Sequence, residues 1–193
     1  MNEKIQEYKE RLKQQIDRIE NQEIVKIIDI LYEAWRSDKT VYVFGNGGSA
    51  ATASHFVCDL GKNTMKQFHK NTKKRFRVVS LNENIPTILA YGNDLSFEDI
   101  FSEQLKNYLL PGDIVIGITG SGNSPNILKA FQVAEEHHAT TIGILGFGGG
   151  KAKDIVDYAI TLDEKDARLA EDGHWFLLHI IPSILKDKIH AET

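Results

Sequence analysis

Apolar residues in the first 36 positions recur at Ile5, Leu12, Ile16, Ile19, Ile24, Ile27, Ile28, Leu31 and Ala34, close to the helical period, with polar and charged residues between them. Neither Pro nor Gly interrupts residues 3–36. The spacing predicts a long N-terminal helical segment, as one or two amphipathic helices. Such a segment cannot bury its stripe alone, so it must pack on the rest of the chain or on another subunit.

From Val41 the pattern changes. Short, continuous apolar runs appear at Val41–Phe44, Val78–Leu81, Ile114–Ile118, Thr141–Leu145 and Tyr158–Leu162. Runs of this kind suit strands covered on both faces. Helical patterns lie between and after them, at about residues 49–60, 85–91, 97–108, 124–137, 150–156 and 167–188. Five strands alternating with helices imply an α/β fold with a parallel sheet and right-handed crossovers. No linker and no repeat of fixed period divides the 193 residues, which predicts one domain spanning 1–193.

Composition narrows the function classes. The formal net charge is −4, so no basic footprint for nucleic acid is present. The local run Lys73, Lys74, Arg75 and Arg77 reads as a solvated loop before a strand. One cysteine, Cys58, allows no intrachain disulfide, and its apolar helical surroundings predict a small buried side chain. The charged N-terminus does not resemble a signal peptide, and the apolar runs are too short to span a bilayer. A cytoplasmic protein that binds neither nucleic acid nor membrane is expected.

Two loops carry candidate chemistry. Gly45-Asn46-Gly47-Gly48-Ser49 follows a strand and opens a helix, where glycines let backbone N–H groups approach an anion at a positive dipole end. A plain tight turn capped by Ser49 would explain this loop equally well. Thr119-Gly120-Ser121-Gly122-Asn123-Ser124 has the same placement, with Pro125 suited to the first helical position after Ser124 as N-cap. Thr119, Ser121 and Ser124 can all donate to phosphate oxygens. Neither loop has the lysine of a nucleotide P-loop or the spacing of a dinucleotide fingerprint. A monophosphorylated metabolite is the expected ligand.

The segments Gly45–Ala50 with His55, Gly92-Asn93-Asp94 with Phe101, Ser102 and Gln104, Ser121–Asn126, Gly148–Lys151, and the pair His174 and His179 occur in one order along nearly the whole chain. In this the chain resembles the sugar isomerase (SIS) domain family, and within it the phosphoheptose isomerases. The resemblance implies a three-layer, flavodoxin-like sandwich with a five-stranded parallel sheet, assembled as a homotetramer in which residues 1–36 serve oligomer packing. It also implies a divalent metal, zinc as a rule, held by His55, Asp59, Glu171 and His179. The family has Glu where Asp59 stands, which shortens that carboxylate, and Gln where Glu171 stands, which adds a charge.

The activity implied is aldose–ketose isomerisation through an enediol, with sedoheptulose 7-phosphate as substrate and glycero-manno-heptose 7-phosphate as product. Asp59 and His179 take the acid–base roles, with Glu171 a rival for proton transfer. Asn46, Gly47, Gly48, Ser49, Asn93, Asp94, Thr119, Gly120, Ser121 and Ser124 form the substrate site. His174 projects about 140° away from His179 round a helix, which suits support better than ligation. His69, His137 and His138 show no partner pattern. The alternative is a non-catalytic phosphosugar-binding SIS protein that acts as a regulator or protein-binding adaptor.

Overall fold

In the computed structural model of the chain, residues 1–64 and 74–192 are described; His69 and Lys73 lie outside them. The apolar runs form strands β1 (Thr40–Gly45), β2 (Arg77–Ser80), β3 (Ile114–Thr119), β4 (Thr140–Leu145) and β5 (Tyr158–Thr161), all parallel, in the order β2-β1-β3-β4-β5. The helices are α1 (Asn2–Asp17), α2 (Asn21–Arg36), α3 (Gly48–Asn63), α4 (Ile85–Asp94), α5 (Ser102–Tyr108), α6 (Pro125–Glu136) and α7 (Ala167–Glu192). Short 3-10 segments span Phe97–Asp99 and Phe147–Asp154. This is the doubly wound, flavodoxin-like order.

Alternation along β1 separates two cores. Val41 and Val43 face Ile27, Leu31, Phe56, Leu177 and Ile181, so α2, α3 and α7 cover one side. Tyr42 and Phe44 face Phe101, Leu105, Ile127 and Phe131, so α5 and α6 cover the other. Gly117 is glycine because a Cβ there would lie 2.4 Å from the Phe131 ring. The predicted three-layer sandwich is therefore present.

The N-terminal segment is two helices, broken at residues 18–20. The break lets Ile19 drop into the core and turns α2 so that Ile24, Ile27, Ile28, Leu31, Ala34 and Trp35 are buried. By contrast, α1 buries only Gln15 among its own residues. Polar contacts tie it down: Tyr8 donates to Asp172 at 2.7 Å and Arg11 to Glu164 at 2.8 Å.

Cys58 is exposed, contrary to the expectation of a buried thiol. The helical register decides this: α3 buries Ser49, Thr52, Ala53, Phe56 and Leu60, which leaves position 58 facing outward. Among the described residues, no helix is long and apolar enough to cross a membrane.

Candidate active site

The two glycine-rich loops lie side by side, because β1 pairs with β3 and Gly45 stands opposite Ile118. Both lie at the C-terminal edge of the sheet, where doubly wound folds bind ligands. In the first loop, the Asn82 side chain accepts from Gly45 N at 3.2 Å and donates to Gly45 O at 2.9 Å. Gly47 has φ +54 and is the N-cap of α3, while Ser49 lies one residue inside the helix, buried and not capping. A Cβ on Gly48 would stand 2.8 Å from Glu171 Oε1, so this carboxylate lies against the start of α3.

In the second loop Thr119 Oγ1 accepts from Gly122 N and Ser121 Oγ from Asn123 N, each at 3.2 Å. Ser124 is the N-cap of α6 and Pro125 opens that helix, but the Ser124 hydroxyl makes no capping bond. Its O–H is thus left to point elsewhere. Gly120 has open space where a Cβ would stand. A third loop supports the second: Gly146 N donates to Thr119 O, Ala152 N to Gly122 O, and Lys151 N to Asn123 Oδ1. With φ +64, and with a Cβ that would fall 1.8 Å from Gly149 O, Gly122 admits no side chain.

Beside these loops α3 packs on α7. Asp59 lies one turn after His55, with Oδ2 3.3 Å from His55 Nε2. Across the gap, His55 Nε2 lies 3.1 Å from His179 Nε2. One ligating atom from each of His55, Asp59 and His179 lies within 4.8 Å of the others. The Trp175 ring packs against both imidazoles, at centroid distances of 4.8 Å and 5.7 Å. Asn63 Nδ2 donates to Asp59 Oδ1 at 2.9 Å, which fixes the carboxylate.

Three of the four expected metal-ligating residues are thus brought together. Glu171, two turns earlier on α7, stands apart from that group, at Gly48. Asn93 and Asp94 are exposed at the end of α4 and bond to each other at 2.8 Å, not to either loop. His174 is 1% exposed, and among the described residues neither ring nitrogen has a hydrogen-bond partner of normal geometry. Burial pushes its imidazole down to about 4 from an ordinary 6.5, against the smaller opposing effect of the Leu145 carbonyl.

The family model described as the SIS domain matches residues 5–146. The chain belongs to the SIS domain family. It is 37% identical over 170 residues to the phosphoheptose isomerase of Geotalea daltonii, covering 88% of this chain and 85% of that protein. To the phosphoheptose isomerase of Clostridium acetobutylicum it is 33% identical over 171 residues, covering 89% and 85%. Among solved structures, a phosphoheptose isomerase from Neisseria gonorrhoeae superimposes with a TM-score of 0.82 at 26% identity, over 92% of each chain.

Three residues of this SIS domain's candidate site were not assigned a role from the sequence. Asn126 is 2% exposed and pairs with Asn46. It stood in the quoted motif, but its partner is 80 residues away and no local signal names it. Asn82 follows β2 at the ligand-binding edge of the sheet, which was a usable signal. Trp175 lies on the same helix as His179, and only the packing of α3 on α7 reveals its contact with His55.

Proposed function

We propose that this SIS-domain protein is an aldose–ketose isomerase of a phosphorylated heptose, as the names of its relatives suggest, converting sedoheptulose 7-phosphate to glycero-manno-heptose 7-phosphate as the family resemblance implies. The observation that carries the reading is the convergence of Asp59 and His179 across the contact between α3, the helix that the first loop opens, and α7. A binding-only protein has no need of an acid–base pair there.

The second loop anchors the phosphate through Thr119, Ser121 and Ser124, the Gly120 backbone and the α6 dipole. Gly47, Gly48 and Ser49 in the first loop, with Asn46, bind the sugar; Asn93 and Asp94, which bond to each other and to neither loop, would reach it from the end of α4. Anchoring the phosphate turns remote binding energy into orientation of the reacting carbons. Asp59 takes the carbon-bound proton, and the electron pair left behind forms the enediol double bond. His179 gives a proton to the carbonyl oxygen. Return of a proton to the adjacent carbon, with loss of one from the other oxygen, completes the transfer.

The donor set fits a divalent ion such as zinc. Ligand atoms round a tetrahedral zinc stand roughly 3.3 Å apart; the two separations at His55 are 3.1 Å and 3.3 Å, and all three donor atoms lie within 4.8 Å of one another. His55, Asp59 and His179 would hold it through one atom each, which leaves the second Asp59 oxygen and His179 Nδ1 for the proton steps, while Glu171 at Gly48 lies outside the group. When bound, such an ion polarises a substrate oxygen and stabilises negative charge there.

Assembly as a homotetramer in the cytoplasm belongs to the same reading. Ile85, Leu89, Leu95 and Phe97 are large apolar side chains left exposed on and after α4, a surface that a second copy would cover. The deciding experiment is an isomerisation assay on sedoheptulose 7-phosphate and a panel of other ketose phosphates, with and without chelator. Turnover of one of them is expected. Phosphosugar binding without turnover of any would instead favour the regulator or adaptor reading.

A further inference from the structure

The two loops are joined by one reciprocal contact. Asn46 Nδ2 donates to Asn126 Oδ1 at 2.9 Å, and Asn126 Nδ2 donates back to Asn46 Oδ1 at 2.9 Å. Asn46 belongs to the first loop, whereas Asn126 lies in the first turn of α6, directly after the second. The pair therefore spans from the end of β1 to the end of β3. A two-bond amide pair fixes direction as well as distance, since neither side chain can rotate without losing both bonds. Burial of Asn126 at 2% exposure keeps water from replacing its partner.

Each loop is also anchored on its far side. Asn82 clasps Gly45 from β2. Asn123 donates to Ser121 O at 2.8 Å and accepts from Lys151 N at 3.1 Å, which ties the second loop to the third. Between these fixed flanks, the Asn46–Asn126 pair bridges one loop directly to the other.

We infer that Asn126 is a positioning residue: through Asn46 it sets the separation of the two loops to the span between the phosphate and the sugar hydroxyls of one substrate molecule. The inference rests on the proposed phosphosugar reading of the site. A ligand held by both loops gains from a preset separation, because it need not spend binding energy to impose one. A ligand held by the second loop alone gains nothing. Inorganic phosphate is such a ligand, so the two affinities respond differently when the pair is broken.

The test is Asn126→Leu, nearly the same shape and uncharged, with Asn126→Ser and Asn126→Ala as further variants, so that no charge enters the phosphate-binding end of α6 and no sugar-contacting residue is changed. Calorimetry measures affinity for sedoheptulose 7-phosphate and for inorganic phosphate in the folded tetramer or whatever assembly the full chain forms. Loss of the pair should weaken phosphosugar binding roughly tenfold or more while leaving phosphate affinity within about twofold. KM should rise more than kcat falls in each variant. Equal weakening of both ligands, or no weakening of either, would overturn the inference. So would failure of all three variants to fold, because the pair would then be a determinant of the fold. If the wild-type chain binds phosphate but no phosphosugar, the functional reading itself fails, and that result is read before any variant is made.

Discussion

His55 on α3 and His179 on α7 meet with their Nε2 atoms 3.1 Å apart, although 124 residues separate them in the chain. Two imidazole nitrogens at this distance either share one proton or direct both lone pairs at one cation. With Asp59 Oδ2 at 3.3 Å from His55, the second arrangement gives the ion a mixed nitrogen and oxygen environment.

Removing this environment should remove the ion. His55→Ala and His179→Ala should each lower the divalent metal content of the purified protein to well below that of the wild type, and weaken zinc affinity by a factor on the order of 100. Metal analysis after dialysis, together with a competition titration against a chromogenic chelator, checks this. Unchanged zinc affinity in both variants would remove the metal centre from the proposal.

Asp59 and the serines of the second loop should separate chemistry from binding. Asp59→Asn is expected to cut turnover by roughly 100-fold or more while changing phosphosugar affinity only slightly. Steady-state kinetics beside calorimetry reads the two effects. Intact isomerisation in this variant would move the carbon-proton role away from Asp59, with Glu171 at Gly48 the next carboxylate to test.

The combined variant Ser121→Ala and Ser124→Ala should do the reverse. Each hydroxyl lost from a charged phosphate costs about 1.5 kcal/mol or more, so affinity should fall by a factor on the order of 100. The expected sign is a raised KM with a smaller change in kcat. An unchanged KM would mean that the phosphate lies elsewhere.

His174 predicts a pH dependence of stability. Its folded value of about 4 lies below the ordinary 6.5 because burial disfavours the charged ring. The folded chain therefore binds fewer protons than the unfolded chain between these values. Stability is fully present above about pH 6.5 and is lost as the pH falls through that window. Between pH 7 and pH 5 the loss from this group is roughly 2 kcal/mol. Urea unfolding of the wild type and of His174→Leu at both pH values checks the effect, and the variant should lose less stability. Equal losses in the two proteins would show that His174 is not neutral in the fold.

Much of this protein was legible in the chain itself. Strand runs such as Val41–Phe44 and Ile114–Ile118 are continuous and apolar because a parallel sheet is buried on both faces, and that pattern is local. The α6 start at Ser124 and Pro125 was also local, since the fixed φ of proline suits the first helical position, although the Ser124 hydroxyl makes no capping bond. The spacing of His55 and Asp59 placed them on one helix face before any tertiary contact was known.

What the chain alone left open depends on contacts between distant elements. Breaking the N-terminal segment at residues 18–20 follows from where Ile19 and α2 must dock, which no periodicity states. The outward face of Cys58 follows from which side of α3 meets the sheet and α7. Glu171 at Gly48, Trp175 against His55 and the Asn46–Asn126 bridge each join segments far apart in sequence. Residue type and spacing thus determined the elements and the chemistry available to them, because those interactions are short in range. Packing of α3 on α7, and of the first loop on the second, decided which of those groups meet.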